Sequence, residues 1–194
     1  ALERTHLPDL IRQVVWQRLA HLSPTAQRVL QWAAVLGPVF WDGAVEVIGQ
    51  VPREQVEAAL QESIDQELIV ERQACALAGQ REYLFTNPTV REVNFESFPA
   101  DLLQDAHRQT AAWLIAHGEE QIGEYLGQIA EHLERAGETE LAVIYLCQAG
   151  EQSAAQFANA EATGCFGRAL RLTPQDDLET RYLLLRKREK VYGH

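Results

Sequence analysis

Residues 82–98, Glu-Tyr-Leu-Phe-Thr-Asn-Pro-Thr-Val-Arg-Glu-Val-Asn-Phe-Glu-Ser-Phe, decide how this chain is read. Their first part alternates apolar and polar side chains and predicts the end of a strand, running from Gln80 to Thr86. At Asn87-Pro88 the pattern changes to a helix start. The Asn carboxamide accepts a first-turn N–H, and proline tolerates the first turn because its missing N–H would have no partner there. Upstream of this joint the chain has mixed helical and strand signals; downstream it has helical signals alone. The expected division is therefore a mixed domain over 1–98 and a helical arm over 99–194.

Working back from the joint, Glu67–Gln73 is a strand candidate, and 74–79 is a loop longer than a tight two-residue turn. Together with Gln80–Thr86 they predict a β-hairpin. Before it stand four short helices. Pro8–Leu22 carries Leu10, Ile11, Val14, Val15, Leu19 and Leu22 at three- and four-residue steps. Ser23-Pro24 caps a second helix that runs to Leu36 and stops at Gly37-Pro38. Phe40–Ile48, closed by Gly49, is the expected third. Pro52 opens a fourth, with Val56, Ala59, Leu60 and Ile64 inward and Glu54, Glu57, Glu62 and Asp65 outward.

Working forward, helices are expected over Asp101–His117, Gln121–Ala136 (stopped by Gly137), Glu138–Phe157, Asn159–Leu172 and Leu178–Val191. Gly150 lies mid-helix, where it costs ~1 kcal/mol against Ala; one continuous helix through it is the expectation. Two of these helices echo each other. Ala142, Leu146 and Ala149 recur as Ala162, Phe166 and Ala169, small-large-small in the same register. Small residues on both sides of a bulky one let neighbouring helices approach closely.

Composition narrows the function classes. The net charge of −11 is spread evenly, with 8 Lys/Arg against 13 Asp/Glu in residues 1–100 and 9 against 15 in residues 101–194. Neither half is basic, which weighs against a role on nucleic acid, where Lys and Arg must neutralise phosphates. The one basic cluster, Arg186-Lys-Arg-Glu-Lys190, is expected to be a solvated helix face. Cys75, Cys147 and Cys165 show no ligand spacing, and an odd, scattered set is expected to be reduced, in an intracellular, cytoplasmic protein. No apolar run approaches membrane length. The chain contains no Met, so a segment of a longer protein is expected.

No catalytic constellation is found. The phosphate-binding GxxxxGK[ST] pattern and the GxSxG nucleophile elbow are both absent. His6, His21, His107, His117, His132 and His194 lack metal-ligand spacing, and His107 and His132 are expected to be surface or packing residues. Glu119-Glu120 and Asp176-Asp177 fall at helix starts, where carboxylates favour the dipole. Trp16, Trp32, Trp41 and Trp113 are expected in the core.

The Ala-bulky-Ala echo resembles the second-helix signature of tetratricopeptide repeats, although its 20-residue spacing is shorter than the family's ~34. In order along the chain, Leu7-Pro-Asp-Leu-Ile11, Arg18-Leu19, Leu22-Ser23, Val29-Leu30, Ala33-Ala-Val-Leu-Gly37 and Phe40 are followed by Phe85, Val90-Arg-Glu-Val93, Phe95-Glu-Ser97, His107 and Ile129-Ala-Glu-His-Leu-Glu-Arg-Ala-Gly137. This series resembles the region after the ATPase module in STAND-type signalling ATPases. That class includes NB-ARC proteins and bacterial relatives fused to cyclases, kinases or transcription-activator domains. The resemblance implies a mostly α fold, a winged helix with a small β-hairpin followed by a TPR-like helical arm. It also implies a non-catalytic regulatory role, coupling the nucleotide state of a parent ATPase to an arm that binds a protein partner or the parent's other domains. ATP or ADP would be the parent's cofactor, with none held by this chain. Where the family has a nucleotide-sensing His after the Phe, this chain has Asn87, which makes Asn87 the one candidate cofactor-contacting residue. As the cap of the Pro88 helix it has a second, purely structural role open to it. The alternative function is a winged-helix DNA-binding transcriptional regulator whose recognition helix, Pro52–Asp65, carries Arg53 as its only cation.

Overall fold

The computed structural model describes residues 7–73, 77, 79–118 and 122–192, with side chains from 11 to 191 within that span. Cys75, most of the loop over 74–79, Glu119-Glu120, His6 and His194 lie outside the described residues. The protein is mostly helical. Among the described residues there are ten α-helices and one three-stranded antiparallel sheet. The chain divides into two compact units between Ala106 and His107.

In the first unit the order is α1 (Leu7–Ala20), α2 (Pro24–Leu36), β1 (Val39–Trp41), α3 (Asp42–Gly49), α4 (Arg53–Asp65), β2 (Ile69–Arg72), β3 (Glu82–Phe85) and α5 (Pro88–Glu96). The central element is α2. Ser23 caps it, its hydroxyl accepting from Ala26 N at 3.2 Å, and Pro24 occupies the first turn as expected. Its sequence puts Ala26, Val29, Leu30 and Ala33–Leu36 out of solvent. A fully buried Leu such as Leu30 contributes about 1.5–3 kcal/mol. Around it pack α3, α4, α5 and β1.

The region expected as a third helix is divided differently. Val39-Phe-Trp41 is a strand, and the helix begins only at Asp42. Side chains of this branched and aromatic kind favour a pleated, half-buried surface. Phe40 stacks on Tyr83 at 5.6 Å and packs on Phe85 at 5.2 Å. The predicted hairpin, β2 with β3, is present, and β1 joins it on the other side of β3 to give the order β1-β3-β2. The register pairs Phe40 with Tyr83 and Trp41 with Glu82, and on the other edge Glu71 with Tyr83. Gly49 does not close α3; Gln50 does, in the left-handed region at φ 50°.

The first turns of α6 (Ala100–Gly118) belong to the first unit. Phe98 and Ala106 form one buried cluster with Val35, with Trp32, Phe95 and Leu103 against it. That packing carries the unit eight residues past the change of pattern at 98. Trp16 departs from the expected core placement, since it is 49% exposed. It and Val14, equally exposed, flank the buried Val15 on α1, while Leu19 and Leu22 are also buried.

The second unit holds the rest of α6, then α7 (Ile122–Ala136), α8 (Thr139–Ala155), α9 (Asn159–Leu172) and α10 (Leu178–Tyr192). From α7 onward each helix packs on the next. α7 ends at Gly137, whose φ of 77° suits glycine, and Glu138 N closes the turn onto Leu133 O at 2.9 Å. The six echo positions are all buried: Ala142, Leu146 and Ala149 on α8, and Ala162, Phe166 and Ala169 on α9. α8 passes unbroken through Gly150. A Cβ there would sit 2.8 Å from Phe166 Cε1, so the glycine is what admits the α9 ring. The helix stops at Ala155 rather than Phe157, which takes φ 61° and is 86% exposed. Leu141, beside the buried Ala142, is also exposed.

Candidate functional site

At the joint, β3 delivers the chain to α5 through a short, fully tied connection. Phe85 N donates to Pro38 O at 3.3 Å and Thr86 N to Leu68 O at 3.1 Å. The Thr86 hydroxyl donates toward Glu67 O (2.9 Å) and Leu68 O (3.1 Å), fixing the turn to the start of β2. Asn87 then sits in the extended region at φ −148°, and its Oδ1 accepts from Thr89 N at 2.8 Å. The capping role is thus present in the geometry. α5 buries Val90 and Val93, and Arg91 Nε donates to Ala34 O of α2 at 3.0 Å.

Asn87 also opens on a groove of about 540 Å³ walled by Ile11, Val14 and Val15 of α1 and by Leu68, Thr86 and Val90. Its lining is largely apolar. Among its described lining residues the one cation is Arg18, which donates to Gln66 O at 3.3 Å and lies 3.4 Å from Glu67. A phosphate at Asn87 would meet one carboxamide and one guanidinium already placed against a carboxylate.

A second cluster holds the sheet to the helices. Asp42, 4% exposed, accepts from Gly43 N and Arg81 N, both at 2.9 Å, and from Arg81 Nε at 3.0 Å. Arg81 also reaches Glu57 at 2.9 Å, and the bond to Asp42 raises the guanidinium pKa. Arg53 of α4 lies among three carboxylates, Glu57 at 3.1 Å, Asp42 at 3.8 Å and Glu46 at 3.9 Å. Its charge is therefore already opposed. On β3, buried Glu82 accepts from Trp41 Nε1 at 3.2 Å and from Arg72. Burial pushes the Tyr83 phenol up to about 12.

In the second unit His107 and His132, 25 positions apart in sequence, are buried with their Nδ1 atoms 2.8 Å apart. They are packing residues in direct contact, joining α6 to α7. Arg168 of α9 makes a two-point pair with Glu134 of α7 at 3.2 and 2.8 Å, and that bond raises the Arg168 pKa. At the start of α10, Asp177 accepts from Thr180 N at 3.1 Å, the capping role expected for that carboxylate pair. The basic run is not wholly solvated. Lys187 Nζ lies against Glu151 and 3.1 Å from Cys147 Sγ, and Arg186 stacks over Tyr182 at 5.8 Å.

Among the described residues no group of three or more His, Cys, Asp or Glu side chains is placed to hold a metal ion. No described helix is long and apolar enough to cross a membrane. Arg53–Glu57 and Cys147–Glu151 are spaced one helical turn apart, but Asp42, Arg81 and Lys187 join them from distant positions, so neither group as a whole carries a sequence signal. No protein-family model matches the chain, and no curated protein matches it.

Proposed function

We propose that this chain is a non-catalytic regulatory and protein-interaction region of a STAND-like signalling ATPase acting in the cytoplasm. In this reading the first unit is a winged helix and the second a TPR-like arm. The first transmits the nucleotide state of the parent protein, and the second engages a protein partner or the parent's other domains. The observation that carries the reading is the joint itself. A β-strand feeds through a capped turn into α5, which is bonded to the central helix by Arg91 and Ala34 at 3.0 Å. A displacement of the sheet would thus move a rigid helix rather than dissipate in a loop. The buried Ala-bulky-Ala series of α8 and α9 supports the repeat-like reading of the arm.

Asn87 acts in this account as a mechanical element, since its Oδ1 is engaged by Thr89 N. The DNA-binding alternative loses ground on one residue. Arg53, the only cation of α4, stands within 4 Å of Asp42, Glu46 and Glu57, which leaves little field for a phosphate. The test is the coding sequence upstream of Ala1 together with nucleotide binding by its product. A P-loop module there, binding ATP or ADP, is expected. A gene lacking such a module would sink the proposal, and so would specific nanomolar DNA binding by the chain at physiological salt.

A further inference from the structure

We propose that Cys147 and Lys187 are a cross-linking pair: on exposure to a peroxide they join through a sulfur–nitrogen bond that ties α8 to α10. Lys187 Nζ lies 3.1 Å from Cys147 Sγ although the two are 40 positions apart. That is within the ~3–3.5 Å separation of a near-attack arrangement, in which the reacting atoms are already in contact. Glu151, one helical turn beyond Cys147 on α8, holds the same Nζ and fixes its position against the sulfur.

Two further observations converge on this pair. The sequence contains fifteen arginines and only two lysines, Lys187 and Lys190. Almost every cation in the protein is thus a guanidinium, which cannot be deprotonated to a nucleophile, whereas the one against the thiol is an amine. A cavity of about 330 Å³, lined by Glu151, Phe166, Lys187 and Val191, opens beside the pair. Cys147 is half-buried and the Lys187 side chain is 36% exposed, so the pair is not sealed in the core. Cys165 on α9 is the contrast. Burial pushes its thiol up, and the cation acting on it is the guanidinium of Arg168.

The chemistry balances in two steps. The Cys147 sulfur attacks hydrogen peroxide; an S–O bond forms, the O–O bond breaks, and water leaves with the thiol proton. The sulfur is oxidised by two electrons to a sulfenic acid and the peroxide is reduced. Lys187, after loss of one ammonium proton by way of Glu151, then attacks that sulfur. An S–N bond forms, the S–O bond breaks, and the hydroxyl leaves as a second water. Glu151 and Cys147 both hold Lys187 in its ammonium form, raising its pKa, so the second step accelerates as the pH rises.

The test is to treat the purified chain with hydrogen peroxide, digest it without reductant, and search for joined peptides by mass spectrometry. The expected product carries the Cys147 and Lys187 peptides together, two hydrogens short of their summed mass, and dithiothreitol releases them. Lys187→Arg keeps the charge against Glu151 and the fold, as checked by an unchanged thermal midpoint, yet abolishes the link; Cys147→Ser does the same. The proposal is overturned if Cys147 proceeds to sulfinic or sulfonic acid with Lys187 unmodified. It is equally overturned if the link persists in Lys187→Arg.

Discussion

Gly150→Ala is the substitution in which local preference and packing pull in opposite directions. In an isolated helix alanine would be favoured over glycine by ~1 kcal/mol. In α8 the new methyl carbon would stand 2.8 Å from Cε1, 2.9 Å from Cζ and 3.1 Å from Cδ1 of Phe166. Carbon atoms rest about 3.5–4.0 Å apart, so the ring must withdraw by roughly half an ångström or more. It has little room to do so, because Phe166 is 2% exposed and shares its cluster with Leu146, Ala162, Ala169 and Leu170. Overpacking of this kind costs about 1–3 kcal/mol. The net expectation is a loss of about 1 kcal/mol, read as a lower urea midpoint with an unchanged slope. Phe166→Leu removes the clashing ring atoms. In that background Gly150→Ala should become stabilising, giving a coupling of at least ~1 kcal/mol in a double-mutant cycle. If Gly150→Ala stabilised the wild-type chain by its full helix preference, the α8–α9 approach described above would be wrong.

Two other perturbations test the first unit. Asp42→Ala strips three hydrogen bonds from a buried carboxylate position, one of them to a guanidinium, and should cost about 2 kcal/mol by chemical denaturation. Arg81→Ala should cost less, because the Arg81 side chain is 40% exposed and Asp42 keeps both backbone N–H bonds with Arg53 3.8 Å away. Tyr83 gives a pH signature. Burial lifts its pKa from 10.0 to about 12, so the folded state favours the neutral phenol. Its contribution is complete below pH 10 and is lost as the pH rises through 10 to 12. Tyr83→Phe should flatten the stability profile in that window, and an unchanged profile would show that the phenol is hydrated.

The sequence carried the capped starts and the glycine stop plainly. Ser23-Pro24, Asn87-Pro88 and Gly137 act within a few residues of themselves, so their chemistry is readable without the fold. The strand Val39–Trp41 was hidden because three residues make no period, and its partner β3 lies more than 40 positions away. Gly150 looked like a weakness until the Phe166 ring, sixteen residues on, occupied the missing side chain's place. The contact of His107 with His132 and that of Cys147 with Lys187 have the same origin, spacings set by helix packing rather than by any motif. Trp16 misled in the opposite sense: its neighbours Val15 and Leu19 are buried, but its own position faces outward.

In the proposed function Asn87 holds the helix start rather than touching a nucleotide. The most direct measurement compares Asn87→Ala with wild type in the full-length protein, recording stability and nucleotide affinity together. Loss of the bond from Thr89 N should cost about 1 kcal/mol of stability while the nucleotide Kd stays the same. Unchanged stability accompanied by weakened nucleotide binding would contradict the account.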